Sequence, residues 1–412
     1  MFKKVFYGWW IVLACFFIGL YVGGVVFYGF TAFFQPLVEE FGWSHTQISF
    51  AVSLRGLEMG IFAPLIGFLV DRFGSRKLIL CGTITVGIGL FSLSATRSLA
   101  MFYASFLLLS VGGGGCLSVV LMAVVANWFR KNVGKALGMV ACGFGASGLI
   151  VPLIVQLIAL YHWRTALVIL GLGVWMLGIP LSFVIRDRPE QYGCLPDGGP
   201  LHDPVPETKH PGKGVEIRFR EAIKLRTFLH LMIVEVTRSI ALSSVVLHVM
   251  PYLNSMGIPR LSAGFIAAAI PLISIIGRFG FGWLGDIYDK RRMMAAALCL
   301  MGTGLLAFCY VRERWVILLF LLLFSTGTGG GMVLTRTMLR DYFGRDSFGK
   351  MLGVASGSAS IGGIIGPILA GWTFDTLASY RLIWFLFSGL LGVSVCMILR
   401  IEPVAKIRRE TP

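Results

Sequence analysis

The residue in this sequence best suited to hold a small anion is Arg278, which stands inside the apolar stretch 261–284. A cation well inside such a stretch costs about 2.5–3.5 kcal/mol even on lenient insertion scales, so it needs a partner or a water-filled cavity. Along its own stretch no acid stands at helical spacing: Asp286 lies eight residues on, and Ser274, four residues back, is the polar neighbour. A guanidinium so placed is a bidentate clamp for a carboxylate. The other reading is an ion pair with Glu58 or Glu235 from a different helix. Those acids have arginines of their own, because Arg55 with Glu58 and Glu235 with Arg238 are both spaced i, i+3. Each pair can satisfy itself on one helical face, with gating or proton handling as its second role. Arg336, near the end of its stretch, can snorkel toward water.

Other chemistries find little support. The six histidines (His45, His162, His202, His210, His230, His248) show no HxxxH spacing, and the eight cysteines show no CxxC. Residues 143–148 formally match GxGxxG, but they lie inside an apolar stretch with neither a preceding strand nor a following acid. No GxxxxGK[ST] occurs. We therefore expect no metal, no cofactor, no enzyme activity and no ATP-driven step.

The elements that must position Arg278 follow from composition. The 412 residues are 56% hydrophobic and only 14% charged, against about 25% charged in soluble domains, with a mean hydropathy of +0.82. Apolar runs of about 20 residues fit membrane-crossing helices, and twelve can be drawn: roughly 8–34, 47–70, 78–95, 99–126, 134–160, 164–185, 227–253, 261–284, 293–311, 315–338, 348–374 and 380–399. The net charge of +16 would suggest nucleic acid in a soluble protein, but its distribution argues otherwise. Of the 36 Lys and Arg, with residues at the edge of a span counted in the adjoining connection, six fall in odd-numbered connections and four inside spans (Arg55, Arg238, Arg278, Arg336). The rest lie in the termini and even-numbered connections, so the positive-inside rule places both termini in the cytoplasm. The expectation is a multi-pass protein of the plasma (inner) membrane, surrounded by lipid and with no nucleic-acid partner.

The chain is also written twice. Residues 67–77 read GFLVDRFGSRK and residues 282–292 read GWLGDIYDKRR, 215 positions on; the same shift relates Pro36 to Pro251, Gly42 to Gly257, Gly134 to Gly349 and Pro152 to Pro367. An even number of spans per unit returns the chain to the same side, so the repeat predicts two six-helix bundles in parallel orientation. Between them, residues 186–226 carry six of the sixteen prolines and many charges, a composition that cannot bury a core. The expected organisation is a bundle over 1–185, a cytoplasmic linker over 186–226 and a second bundle over 227–412. At the repeat shift His248 takes the place of Phe33, which marks it as a pH-responsive group near an outward cavity or, on the plainer reading, a packed imidazole.

Six spans, a basic linker, six more spans and a Gly-x-x-x-Asp-Arg-x-Gly-x-Arg-Lys loop repeated in degenerate form resemble the major facilitator superfamily across the whole chain. The resemblance implies the all-α, twelve-helix major facilitator fold and a gating role for the loop residues Asp71, Arg72 and Arg76 and for Asp286 in the second half. A finer similarity is to the monocarboxylate transporter family, including its bacterial lactate-type and oxalate/formate-type relatives. It is carried by residues 128–148, WFRKNVGKALGMVACGFGASG, by Tyr7-Gly8-Trp9-Trp10, and by Arg278 itself. There the family holds its carboxylate-binding arginine. Two departures matter. Animal members have an acid where this chain has Ser274 and a lysine where it has Tyr28, so their proton relay is missing.

The resemblance implies alternating-access transport of a small monocarboxylate such as L-lactate together with a proton, by a chain sufficient as a monomer. Arg278 would hold the carboxylate, Tyr28 and Ser274 would offer hydroxyls, and His248, Glu58 and Glu235 are the proton-coupling candidates, His248 also bordering the substrate. Exchange of organic anions, of the oxalate/formate type, is the alternative.

Overall fold

The computed structural model describes residues 6–54, 69–70, 72–113, 119–129, 132–192, 194–198, 225–311, 313–343 and 348–401. Among these there is no strand. The helices are α1 (Tyr7–Val22), α2 (Thr31–Phe41), α3 (45–54), α4 (Ser75–Ser94), α5 (Leu99–Gly113), α6 (Val119–Trp128), α7 (Val133–Ala146), α8 (Ile150–Val184), α9 (Arg226–Ser255), α10 (Arg260–Ile287), α11 (Lys290–Phe308), α12 (Arg314–Phe343), α13 (Phe348–Leu377) and α14 (Arg381–Leu399). Arg55, Glu58, Gly67 and Asp71 lie outside the described residues.

Nine helical stretches among the described residues are long and apolar enough to cross a membrane. One of them, Val133–Val184, is 52 residues long, about twice what a bilayer needs. It carries two spans, divided at His162, whose φ of 67° breaks the helix. The apolar helices α5, α6 and α3 overlap the remaining spans drawn from the sequence, 99–126 and 47–70.

The described residues within Met1–Pro36 and Ile61–Lys209 form one compact unit, and those within Leu37–Gly60 and His210–Pro412 form another. In the first, Arg164 donates from Nη1 to the Ser94 carbonyl (2.7 Å) and the Thr96 carbonyl (2.9 Å), satisfying the end of α4, and lies over the Trp163 ring. In the second, Arg381 donates from Nε to the Cys309 carbonyl (3.1 Å) at the end of α11 and lies over Tyr310. Ser94 and Cys309 are 215 residues apart, the shift read from sequence. A cation closing the last carbonyls of a helix is favoured by both hydrogen bonding and the helix dipole.

The repeat also appears in the backbone. Gly42 has φ +64° after α2, and Gly257 has φ +82° after α9. A Cβ at either would meet nothing within 4 Å, so the sign of φ and not crowding selects glycine. After α9 the Ile258 N–H reaches back to the Leu253 carbonyl (3.0 Å), the six-to-one bond of a Schellman ending.

The two stretches that carried the finer similarity meet in the first unit. Phe6, Tyr7 and Trp9 pack their rings on Trp128 and Phe129, and a Cβ on Gly8 would lie 2.9 Å from the Phe129 ring. The Tyr7 hydroxyl donates to the Val184 carbonyl (2.9 Å) and the Trp128 indole to that of Arg186 (2.8 Å). Their spacing thus serves a helix-end cluster on which the start of the linker rests.

Candidate functional site

The polar core of the second unit is built on three helices. On α9 the i, i+3 spacing brings Glu235 and Arg238 together: Arg238 donates from Nε to Glu235 Oε2 (3.2 Å) and from Nη2 to Oε1. Both residues are buried. On α12, Thr335 donates from Oγ1 to Glu235 Oε2 (3.0 Å) and to the Gly331 carbonyl (3.0 Å). The Arg238 stem lies where a Cβ on Gly331 would stand, 2.8 Å away. An acid taken out of water is tolerable when its lone pairs are filled in this way. Glu235 is therefore held as the counterion of Arg238.

Helix α10 crosses α12 closely. A Cβ on Gly329 would collide with the Ser274 backbone and lie 3.0 Å from the Arg278 nitrogen, and Val333 faces Gly282. Ser274 is buried and donates to the Pro271 carbonyl in its own helix (2.7 Å). It is a small residue at the crossing, its proton already committed. Arg278 follows one turn later, half-buried. Arg336, on the α12 face that follows Gly329 and Val333 at i+7 and i+3, is exposed and interacts electrostatically with Arg238, Arg278 and Glu235. Three guanidiniums and one carboxylate share this region among the described residues. Tyr28 is half-buried at the end of a π-helical turn, Gly23–Tyr28, in the first unit.

A second polar assembly joins α3 to α9 and α13. Ser44 and Gln47 form a reciprocal cap at the start of α3, with the Ser44 N–H on Gln47 Oε1 (3.0 Å) and the Gln47 N–H on Ser44 Oγ (3.1 Å), the capping-box arrangement. Asp375, near the end of α13, accepts the backbone N–H of His45 (2.9 Å) and of Thr46 (2.8 Å) and the Thr46 hydroxyl (2.5 Å). A carboxylate at a helix N-terminus meets both free N–H groups and the positive end of the dipole. The His45 Nδ1 lies 3.3 Å from Asp375 Oδ1. Burial holds the His45 imidazole below its ordinary 6.5, with Asp375 partly opposing that shift.

His248 belongs to this assembly. It is fully buried, with Nε2 3.0 Å from Ser49 Oγ and 3.1 Å from the Pro367 carbonyl, and Nδ1 3.0 Å from the Tyr380 hydroxyl. The structure places it in a packed hydrogen-bond network, as it places Phe33, also buried, at the repeat position. His45 and Asp375 escape a reading of sequence because they are 330 residues apart. The one local signal was the Ser44-x-x-Gln47 cap.

The loops proposed for gating are held by acids other than those the repeat points to. In the first half the Arg76 N–H bonds Asp187 Oδ1 (2.9 Å), while Gly74, at φ +81°, leaves room for that carboxylate. In the second half Arg291, 215 positions on, makes the same bond (2.9 Å) to Asp289, the residue equivalent to Gly74. The same anchor therefore comes from a distant residue in one half and a local one in the other. Hydrogen bonding to Arg291 holds the Asp289 carboxyl below its usual range. Lys290 pairs with Asp341. Asp286 is exposed, and Arg72 is exposed with its guanidinium over Phe73. Among the described residues no cluster of His, Cys, Asp and Glu could hold a metal ion.

Comparison with known proteins agrees with this architecture. Residues 9–284 and 231–412 match the Major Facilitator Superfamily. Monocarboxylate transporter 13 of Bos taurus is 26% identical over 383 residues, covering 91% of this chain and 84% of that protein. Monocarboxylate transporter 7 of Homo sapiens is 23% identical, covering 95% and 86%. Among solved structures, a bacterial homologue of the human lysosomal transporter Spinster superposes with a TM-score of 0.72 at 16% identity, over 96% of this chain and 95% of that one. With apolar helices along its length, two repeated halves and a match that spans nearly all of it, this chain belongs to the major facilitator superfamily and has the twelve-helix fold of its transporters.

Proposed function

We propose that the protein is a secondary carrier of small monocarboxylates such as L-lactate, moving them with a proton by alternating access in the plasma (inner) membrane, with both termini cytoplasmic and one chain sufficient. The observation that carries this reading is Arg278, inside the apolar helix α10 and half-buried, where that helix crosses α12. The names of the similar proteins support a carboxylate as cargo. Arg278 clamps it, Tyr28 and Ser274 border it, and Arg72, Arg76, Asp71 and Asp286 belong to loops that open and close on one side. His248, Glu235 and Glu58 are the candidates for the proton-linked group, with Glu235 ion-paired to Arg238 and His248 within the hydrogen-bond network around Ser49 and Tyr380. Membrane lipid is the surrounding partner.

The test is uptake of radiolabelled L-lactate into proteoliposomes under an imposed inward proton gradient. Accumulation above equilibrium that Arg278→Ala abolishes is the expected result. A native protein that accumulates nothing but exchanges preloaded oxalate refutes symport and establishes the exchange alternative.

A further inference from the structure

In the first unit α4 and α8 pack closely through small residues. A Cβ on Gly87 would collide with the Trp175 indole, and one on Gly178 would press on Thr83. The indole donates from Nε1 to the Ile84 carbonyl (3.2 Å). Each helix also turns an apolar stripe outward. On α4 the exposed Cys81, Ile84 and Ile88 recur at helical spacing, and Lys77, also exposed, stands one turn before Cys81. On α8 the stripe is Leu172, Met176 and Phe183, the last 55% exposed. Apolar side chains turned outward on membrane-crossing helices meet lipid chains. The stripes are joined at two points. One is the Trp175 bond, since Ile84 belongs to one stripe and Trp175 adjoins Met176 of the other. The second is Arg76, whose guanidinium lies 5.1 Å from the centre of the Phe183 ring. The Arg76 N–H bonds Asp187 Oδ1 (2.9 Å), so that carboxylate is turned to the start of α4 while the guanidinium covers the exposed ring.

The second unit places the repeat-related residues differently. Arg291, 215 positions after Arg76, gives its guanidinium to Asp289 and to the Ile401 carbonyl (2.6 Å). Ile398, at the place of Phe183, is buried. One guanidinium is thus tied to its own loop and helix end, and the other is spread over an outward ring. We infer that the α4–α8 face binds an anionic phospholipid, with its phosphate on Arg76 and Lys77 and an acyl chain along the two stripes. A cation at the end of an outward apolar stripe stands at the depth where a phospholipid presents its phosphate. Guanidinium and ammonium donors both suit phosphate oxygens.

The experiment uses the full chain in phosphatidylcholine nanodiscs that carry a trace of phosphatidylglycerol with a photoreactive acyl chain. Crosslinks are expected in the peptides that hold Ile84, Ile88, Met176 and Phe183. Unlabelled phosphatidylglycerol should displace them at a concentration about tenfold below that needed with phosphatidylethanolamine. Arg76→Gln/Lys77→Gln should remove this preference, and the repeat-related Arg291→Gln/Arg292→Gln should keep it. Unfolding temperatures identify any variant that has lost its fold, and the native displacement ratio decides the question without a variant. Equal displacement by the two lipids overturns the inference, as do crosslinks spread evenly over the other outward helices. An undiminished preference in folded Arg76→Gln/Lys77→Gln overturns it too. Displacement by millimolar inorganic phosphate would assign the cations to a free anion and overturn the lipid site. None of these outcomes depends on what the carrier moves.

Discussion

Two polar assemblies in the same packing unit differ in how their charges balance. Around Asp375 and His248, hydrogen bonds join α3 to α9 and α13: the carboxylate takes three donors, and each imidazole nitrogen has a neighbour. In the other, the Glu235 carboxylate is held by Arg238 on its own helix and by Thr335 on α12, and Arg278 stands half-buried on the neighbouring α10. The first is a closed set of contacts whose work is to hold helices in register. The second sets an arginine on a helix that crosses the ion-paired core, and it is where the proposed anion site lies. Burial of a polar group alone does not mark a binding site.

This contrast can be broken first at the ion pair. Arg238→Ala should cost about 3–5 kcal/mol, because it leaves Glu235 buried without its counterion. The apolar double variant Glu235→Leu/Arg238→Met should recover most of that loss in unfolding measurements in detergent. A loss below about 1 kcal/mol for the single change would mean that Glu235 is not committed to Arg238.

In the other assembly, His248→Phe installs the residue type of the repeat position. It should cost about 1–3 kcal/mol, the penalty of leaving the Tyr380 hydroxyl without its partner, and unfolding of the variant measures it. A neutral result would make His248 a space-filling residue only. Asp375→Ala removes the acceptor at the start of α3 and should cost about 0.5–2 kcal/mol, the range for a lost helix cap. It should also speed thiol labelling of Ser49→Cys, since α3 would separate more often from α13.

The smallest effect is a pH dependence. Burial lowers the His45 pKa from 6.5, so the folded protein binds that proton less tightly than the unfolded chain does. The contribution is full above pH 6.5 and is lost as pH falls through the lowered folded value. Unfolding temperature should therefore drop modestly between pH 7 and 5, and His45→Gln should flatten that drop. A rise on acidification, removed by the same variant, would mean that attraction to Asp375 dominates.

Much of the fold was legible in the sequence because lipid imposes long apolar runs and duplication repeats its landmarks. The 215-residue spacing pairs Gly42 with Gly257, which share a left-handed backbone, and helical periodicity pairs Glu235 with Arg238. What stayed hidden depends on tertiary placement. The spacing rules reach one or two helical turns, whereas Asp375 caps a helix 330 residues away. The repeat aligned Asp71 with Asp286, yet the loop anchors are Asp187 and Asp289, because a carboxylate can be supplied to the same place from two points on the chain.

The most direct measurement of the central claim is the shift in unfolding temperature on adding L-lactate to purified protein, since a ligand that binds only the folded state stabilises it by mass action. The account predicts a concentration-dependent rise for the native chain and for Asp375→Ala, and none for Arg278→Ala. An undiminished rise in Arg278→Ala would contradict it, placing the anion elsewhere.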